Sequence, residues 1–173
     1  MNYILILIFS LIFSSAHASA TYQTSAEFLD EVFSSDVPQP QVLWLTKKFK
    51  PLVKEILGHD YATMRVRYWG RNHRTVWILE EIGKEKPITT GIVIDNGKIE
   101  QVKVLVFRES RGNEVQYPFF TDQFKGRFLN ADKVLDRYID GISGATLSVR
   151  ALKKLARLAL FLHQQSKYAN GPS

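Results

Sequence analysis

The sequence predicts an α+β fold: an antiparallel β-sheet with packed helices, including a long C-terminal one. Three observations carry this. Residues 88–94 and 99–107 are apolar, β-branched runs joined by Asp95-Asn96-Gly97, and an Asn-Gly pair supplies the positive φ that a two-residue hairpin turn requires. Met64, Val66 and Tyr68 alternate with Arg65 and Arg67, the period-two pattern of a half-buried strand. Leu152, Leu155, Ala159 and Leu162 recur at helical spacing, opposite a charged stripe of Arg150, Lys153, Lys154 and Arg157.

Taken in order, residues 25–33 open with a Ser-x-Glu pattern and read as a short helix, which Pro38-Gln39-Pro40 ends. Residues 42–57 read as a second helix, kinked or divided at Pro51 and closed by Gly58. After the strand around Val66, residues 75–79 are apolar on both faces and belong near the middle of the sheet. The hairpin follows, and short turns between successive strands imply antiparallel pairing. The last helix, residues 147–165, is expected to bury its leucine stripe on one sheet face.

The first residues stand apart from this pattern. Residues 3–13 form an apolar run too short for a comfortable membrane span and lead into Ala16-His17-Ala18, a small-x-small cleavage pattern. Residues 1–18 therefore read as a secretory signal peptide and 19–173 as one domain, working in the periplasm or otherwise outside the cytosol. No Lys or Arg precedes the run, so an uncleaved anchor is the alternative, and Ala18-Ser19-Ala20 offers another cut.

Composition narrows the chemistry. The chain of 173 residues, 45% of them hydrophobic, is long enough for one ordinary core. It has no cysteine, which excludes disulfides, thiolate metal sites, iron–sulfur clusters and thioether-attached haem. His59, His73 and His163 are scattered without ligand spacing, so no metal site is expected. The net charge is +6, but positive and negative residues interleave and no nucleic-acid motif is present, so the charge points to steering of an acidic partner. Without a Gly-x-Gly-x-x-Gly fingerprint, direct use of a nicotinamide dinucleotide is not expected.

The densest functional signal is Asp140, Ser143, Gly144, Ala145 and Thr146, which place a hydroxyl behind two small residues where the last helix begins. Backbone N–H groups at a helix start lack intrahelical partners and attract phosphate, and Gly144 and Ala145 allow close approach. On the residues alone, Ser143 or Thr146 equally serves as a helix cap. A hydrolase nucleophile is not supported, because Gly141-Ile142-Ser143-Gly144-Ala145 lacks the final glycine and His163 follows without an intervening acid. The loop after the hairpin, Arg108-Glu109-Ser110-Arg111-Gly112, is a second cluster of donors and acceptors, equally compatible with a surface Arg and Glu pair.

Asp140-x-x-Ser143-Gly144-Ala145-Thr146 resembles the flavinylation motif of the FMN-binding domain family, which includes the small extracytoplasmic subunits of the sodium-pumping quinone reductase and of the Rnf complex. The Glu109-Ser110-Arg111-Gly112 segment and Gln123-Phe124-Lys125-Gly126 are similar to two further elements of that family, and the likeness spans about residues 60–165. The resemblance implies covalent FMN: a flavin transferase cleaves FAD and joins the FMN phosphate to Thr146. Asp140 then serves recognition by the transferase or metal-assisted transfer there, with Mg²⁺ belonging to that enzyme. Ser143, Gly144 and Ala145 shape the turn, and Glu109, Ser110 and Gly112 line the flavin pocket. Gln123, Phe124 and Gly126 remain open between fold and site. The implied role is electron carriage to a membrane-associated redox partner, the alternatives being a reductase with its own substrate or a flavin-free binding module. Trp69, Trp77, Tyr68 and Phe107 are read as packing residues and are assigned to no site.

Overall fold

The computed structural model describes residues 19–169 and has an α+β architecture. Six strands form one antiparallel sheet in the order β1-β6-β5-β4-β3-β2. The strands are β1 (Ala20–Thr21), β2 (Gln41–Trp44), β3 (Arg65–Arg71), β4 (Arg74–Ile82), β5 (Pro87–Asp95) and β6 (Lys98–Phe107). The helices are α1 (Ser25–Phe33), α2 (Lys50–Leu57), α3 (Pro118–Thr121) and α4 (Thr146–Gln164). The proposed signal peptide, residues 1–18, lies outside the described residues. Among the described residues no helix is long and apolar enough to cross a membrane.

The strongest sequence signals map directly onto this frame. Asn96 and Gly97 take φ values of +49° and +75°, the pair of positive values expected of the tight β5–β6 turn. Helix α1 spans the residues expected. Its cap is Thr24, whose hydroxyl accepts from the Glu27 N–H while Glu27 reaches back to the Thr24 N–H, a reciprocal capping box.

Residues 42–57 depart from the single helix expected of them. Gln41–Trp44 instead forms the edge strand β2, with Val42 opposite Arg67 and Trp44 opposite Arg65, and the helix begins only at Lys50. Pro51 occupies the first turn, where a missing N–H costs nothing, so it starts α2 rather than kinking a longer helix. Gly58 closes α2 at φ +78°, as expected.

The sheet carries a core on each face. On one face Trp77, Leu79, Ile92, Ile94, Val104 and Phe107 pack against Leu152, Leu155, Ala159 and Leu162 of α4 and Ile56 of α2. On the other, Phe28, Leu29, Val32 and Phe33 of α1 cover Val76, Val93 and Leu105. Strand β4 feeds both cores, which accounts for its apolar run on alternate faces. Tyr68 and Trp77 stack with centroids 4.6 Å apart, and both are buried with Phe107, in keeping with their reading as packing residues.

Between α3 and α4 the chain has little regular structure, yet side chains pin it. Asn130 Oδ1 accepts from the N–H groups of Asp132 and Val134. Asp136 Oδ1 accepts from Phe128 N–H, and Arg127 pairs with Asp136 at 3.3 Å. This strap delivers residues 138–143 to the start of α4.

Candidate functional site

Thr146 is the first residue of α4, and its side chain is exposed. The residue before the helix is Ala145, and no side chain makes a capping hydrogen bond there. Neither Ser143 nor Thr146 is therefore spent as a cap, and the first-turn amides keep their capacity to bind an anion. Gly144 has φ +83°, a left-handed conformation costly for residues with a Cβ. It reverses the chain so that Ala145, 2% exposed, is buried behind the helix start while Thr146 faces out.

A groove of about 720 Å³ opens beside Thr146, within the usual range for a small-molecule site. Ile56, Tyr138, Ile139, Ile142 and Val149 give it apolar walls, and Ser143 and Thr146 stand at one end. Arg150, Lys153, Lys154 and Arg157 supply cations, and among the described residues no Asp or Glu lines it. Positions 146, 150, 153 and 157 fall on one helical face. The charged stripe of the sequence is thus a wall of the groove.

The cations are held differently. Lys154 Nζ donates to Glu81 Oε1 at 2.8 Å, and that carboxylate is nearly fully buried and also meets His59 Nε2 at 2.9 Å. His59 Nδ1–H donates to the Asp60 carbonyl at 3.0 Å; this bond and the Glu81 contact raise its pKa above the usual histidine value. By contrast, Lys153 Nζ donates to the Ile139 carbonyl at 3.3 Å and lies 4.5 Å from the Tyr138 ring centroid. Arg157 Nε donates to the Lys133 carbonyl at 2.9 Å. Carbonyls position a cation without neutralising it.

The other residues singled out in the sequence are joined to this helix start unequally. The Gln123 side-chain oxygen accepts from the Asp140 N–H at 2.7 Å, so the Gln-Phe-x-Gly element steadies the flavinylation-like motif through its backbone. Asp140 itself is exposed beside the groove-lining Ile139 and Gly141. Phe124 is buried core, edge-on to Phe120. Gly112 reaches the first turn of α4 from behind: a Cβ there would lie 2.6 Å from Ser148 Oγ and 3.5 Å from Ala145 Cα.

Glu109 points elsewhere. Its Oε1 accepts from the N–H groups of Lys84, Glu85 and Lys86 at 2.5, 2.7 and 2.9 Å, closing the β4–β5 turn. Desolvation pushes its pKa up, but the three amides and the nearby Lys84 charge together outweigh it and leave the pKa below the ordinary value. Arg108 likewise donates to the Pro87 carbonyl and Thr89 Oγ1. Ser110 is exposed, and none of Glu109, Ser110 and Gly112 lines the groove of Thr146. Tyr138 and Ile139, which do line it, sit in an irregular strap with no sequence pattern to mark them. Among the described residues no group of three or more His, Asp or Glu is placed to hold a metal ion.

These residues suit a flavin mononucleotide by the chemistry of their donors. An exposed hydroxyl and free amides would meet the phosphate, cations lie alongside, and apolar walls suit a planar ring system. Residues 83–160 match the model of a family described as FMN-binding domain. The fold is similar to that of Shewanella oneidensis NqrC, with a TM-score of 0.58 at 14% identity, over 81% of this chain and 85% of that one. It is also similar to a subunit of the Na(+)-translocating NADH-quinone reductase from Parabacteroides distasonis, with a TM-score of 0.52 at 18% identity, over 83% of each chain. No curated protein sequence matches.

Proposed function

We propose, from the match of residues 83–160 to the model of the FMN-binding domain family, that the protein is an exported electron carrier whose FMN is bound covalently through its phosphate to Thr146. The observation that carries this reading is the exposed Thr146 hydroxyl at an uncapped helix start, heading a cationic groove. A hydroxyl that must be reached by a modifying enzyme has to be accessible, and one already serving as a cap would have to give up that bond first.

The FMN would supply one- and two-electron redox chemistry. The chain's own contributions are distinct. Thr146 Oγ is the attachment atom, and the amides of the first turn of α4 together with Arg150 stabilise the phosphate's charge. Ile56, Ile139, Ile142 and Val149 exclude water from one side of the groove, and Tyr138 offers a ring face at its mouth. Gly144 and Gln123 hold the turn in shape. Because attachment is through the phosphate, the ring potential is set by groove polarity and not by a covalent bond to the ring.

Maturation requires a flavin transferase that uses FAD, and electron exchange requires a redox partner. The Parabacteroides protein is a subunit of a sodium-translocating NADH-quinone reductase; we place the partner of the present chain at the outer face of a membrane by analogy with such an assembly. Export rests on the reading of residues 1–18 as a leader and 19–173 as the mature domain. The test is co-expression with a flavin transferase followed by intact-mass measurement. The wild type is expected to gain an FMN-sized adduct and to end at a leader cleavage site, and Thr146→Val to remain unmodified. An unmodified wild type, under conditions where the transferase modifies a known substrate, overturns the proposal; an adduct on Thr146→Val moves the site.

A further inference from the structure

Three charged side chains form a line from solvent to the wall of the groove. Glu81 of β4 stands in the middle with its side chain 4% exposed, between Lys154 of α4 at 24% and His59 at 49%. Lys154 lines the groove, and its Nζ donates to Glu81 Oε1 at 2.8 Å. On the other side His59 Nε2 lies 3.1 and 2.9 Å from the two Glu81 oxygens. Lys154 follows Thr146 by eight positions in α4, about 12 Å along its axis. Its charge therefore lies down the groove from the ester, in the part that the ring of a flavin tethered at Thr146 reaches.

The hydrogen bonds fix where the protons sit. The Asp60 carbonyl can only accept, so His59 Nδ1 carries a hydrogen. The Glu81 carboxylate also accepts, so its contact with Nε2 requires a second proton on the ring. The cluster then holds two positive charges against one negative. Loss of the Nε2 proton leaves a lone pair facing the carboxylate and brings the sum to zero. Because Glu81 is buried, this change is only weakly screened from the groove. The bonds to the Asp60 carbonyl and to Glu81 raise the His59 pKa, so the exchange falls above about pH 6.5. The neighbouring titratable groups do not compete for this proton. Lys54 and Asp60 form a pair at 3.0 Å that is neutral in sum, and burial raises the pKa of Tyr61 and keeps it uncharged. Glu80, on the opposite face of β4, lies 3.5 Å from Arg108.

We propose that Glu81 and His59 are positioning residues for the electron carrier: Glu81 fixes Lys154 beside the flavin, and His59 takes up a solvent proton when the flavin is reduced. The electrons come from the redox partner and add negative charge within the groove. The proton comes from water and adds to His59 Nε2, and no bond within the flavin or to Thr146 breaks. By linkage the coupling also runs in reverse, so a protonated His59 raises the potential of the flavin.

The inference rests on the flavin reading of the groove, and histidine titration by NMR on the flavinylated protein, oxidised and then reduced with dithionite, reads the coupling directly. His59→Gln, at a half-exposed position, identifies the signal. On reduction the His59 pKa is expected to rise by roughly half a pH unit, the effect of one charge about 10 Å away with partial screening. Glu81→Gln should reduce that rise to near zero, because the imidazolium is no longer held at the groove wall. Midpoint potentials against pH give a second readout. Wild type and His59→Gln should coincide above the His59 pKa, and as pH falls below it the wild type should become the higher. The titration of the ring itself is common to both and cancels. Lys154→Gln should lower the potential at every pH, and Lys154→Arg should not. A role in folding alone would change the melting temperature and leave these profiles parallel. An unchanged His59 pKa on reduction, coincident wild-type and His59→Gln profiles, or an unaffected potential in Lys154→Gln overturns the proposal. If intact mass shows no adduct, it falls together with the assignment of Thr146; a flavinylated protein without the His59 response rejects the coupling alone.

Discussion

His163 shows how a single side chain can set the pH range of the fold. It lies on α4, 1% exposed, with Nδ1 2.8 Å from Thr75 Oγ1, which also accepts from Trp77 Nε1. Its Nε2 finds no partner among the described residues. Burial lowers its pKa to about 4, so the folded protein holds the ring neutral while an unfolded chain takes up a proton below about pH 6.5. Above that pH the group contributes no difference. As pH falls from about 6.5 to about 4 the unfolded state gains protons first, and stability declines by about 3 kcal/mol. Denaturant titrations at pH 7.5, 5.5 and 4.5 should show this decline in the wild type and a much shallower one in His163→Leu. Equal slopes would exclude His163 as the cause. The same residue-scale logic explains what the sequence conceals at Glu109: its partners are backbone amides some two dozen positions earlier, and amides carry no side-chain signature. Thr146 is legible because its setting is local, two small residues and a helix start.

At the scale of elements, periodicity is what the sequence discloses and pairing is what it hides. The hairpin β5–β6 and helix α4 announce themselves through period and turn chemistry within their own residues. Val42, Leu43 and Trp44 do not, because an edge strand of four residues takes its conformation from its neighbour β3. Lying next to a helical pattern, these residues merge with it when period alone is read. The loop after β6 is a similar case: Gly112 looks like ordinary turn chemistry, but it abuts the first turn of α4 at φ +86°. Gly112→Ala should therefore cost about 1–3 kcal/mol, most of it through strain and the clash with Ser148. Because the clash falls on the first turn of α4, it should also reduce the yield of adduct on Thr146. Thermal melts and intact mass on the same sample measure both. A variant as stable as the wild type would mean that Ser148 moves aside freely. A destabilised variant with undiminished flavinylation would separate the loop from the site.

For the molecule as a whole, the question is what a net charge of +6 does when the groove's uncompensated cations lie on one side of it. Residues 1–18 contain no Asp, Glu, Lys or Arg, so residues 19–173 carry the whole excess. Lys154 is paired within the fold, whereas Arg150 is exposed at the groove. A positive field at the flavin would favour an acidic partner at the encounter step and weaken as salt screens it over roughly 8–10 Å at physiological ionic strength. Reoxidation of the reduced, flavinylated protein by small reagents tests this without knowing the partner. With ferricyanide the rate should fall several-fold between about 10 mM and 0.5 M salt, and with a cationic ruthenium ammine it should rise. The opposite signs matter, because differences in driving force between the reagents cannot produce them. Arg150→Glu should flatten both dependences. If the two reagents respond to salt alike, the field at the flavin is not positive, and the redox partner need not be acidic.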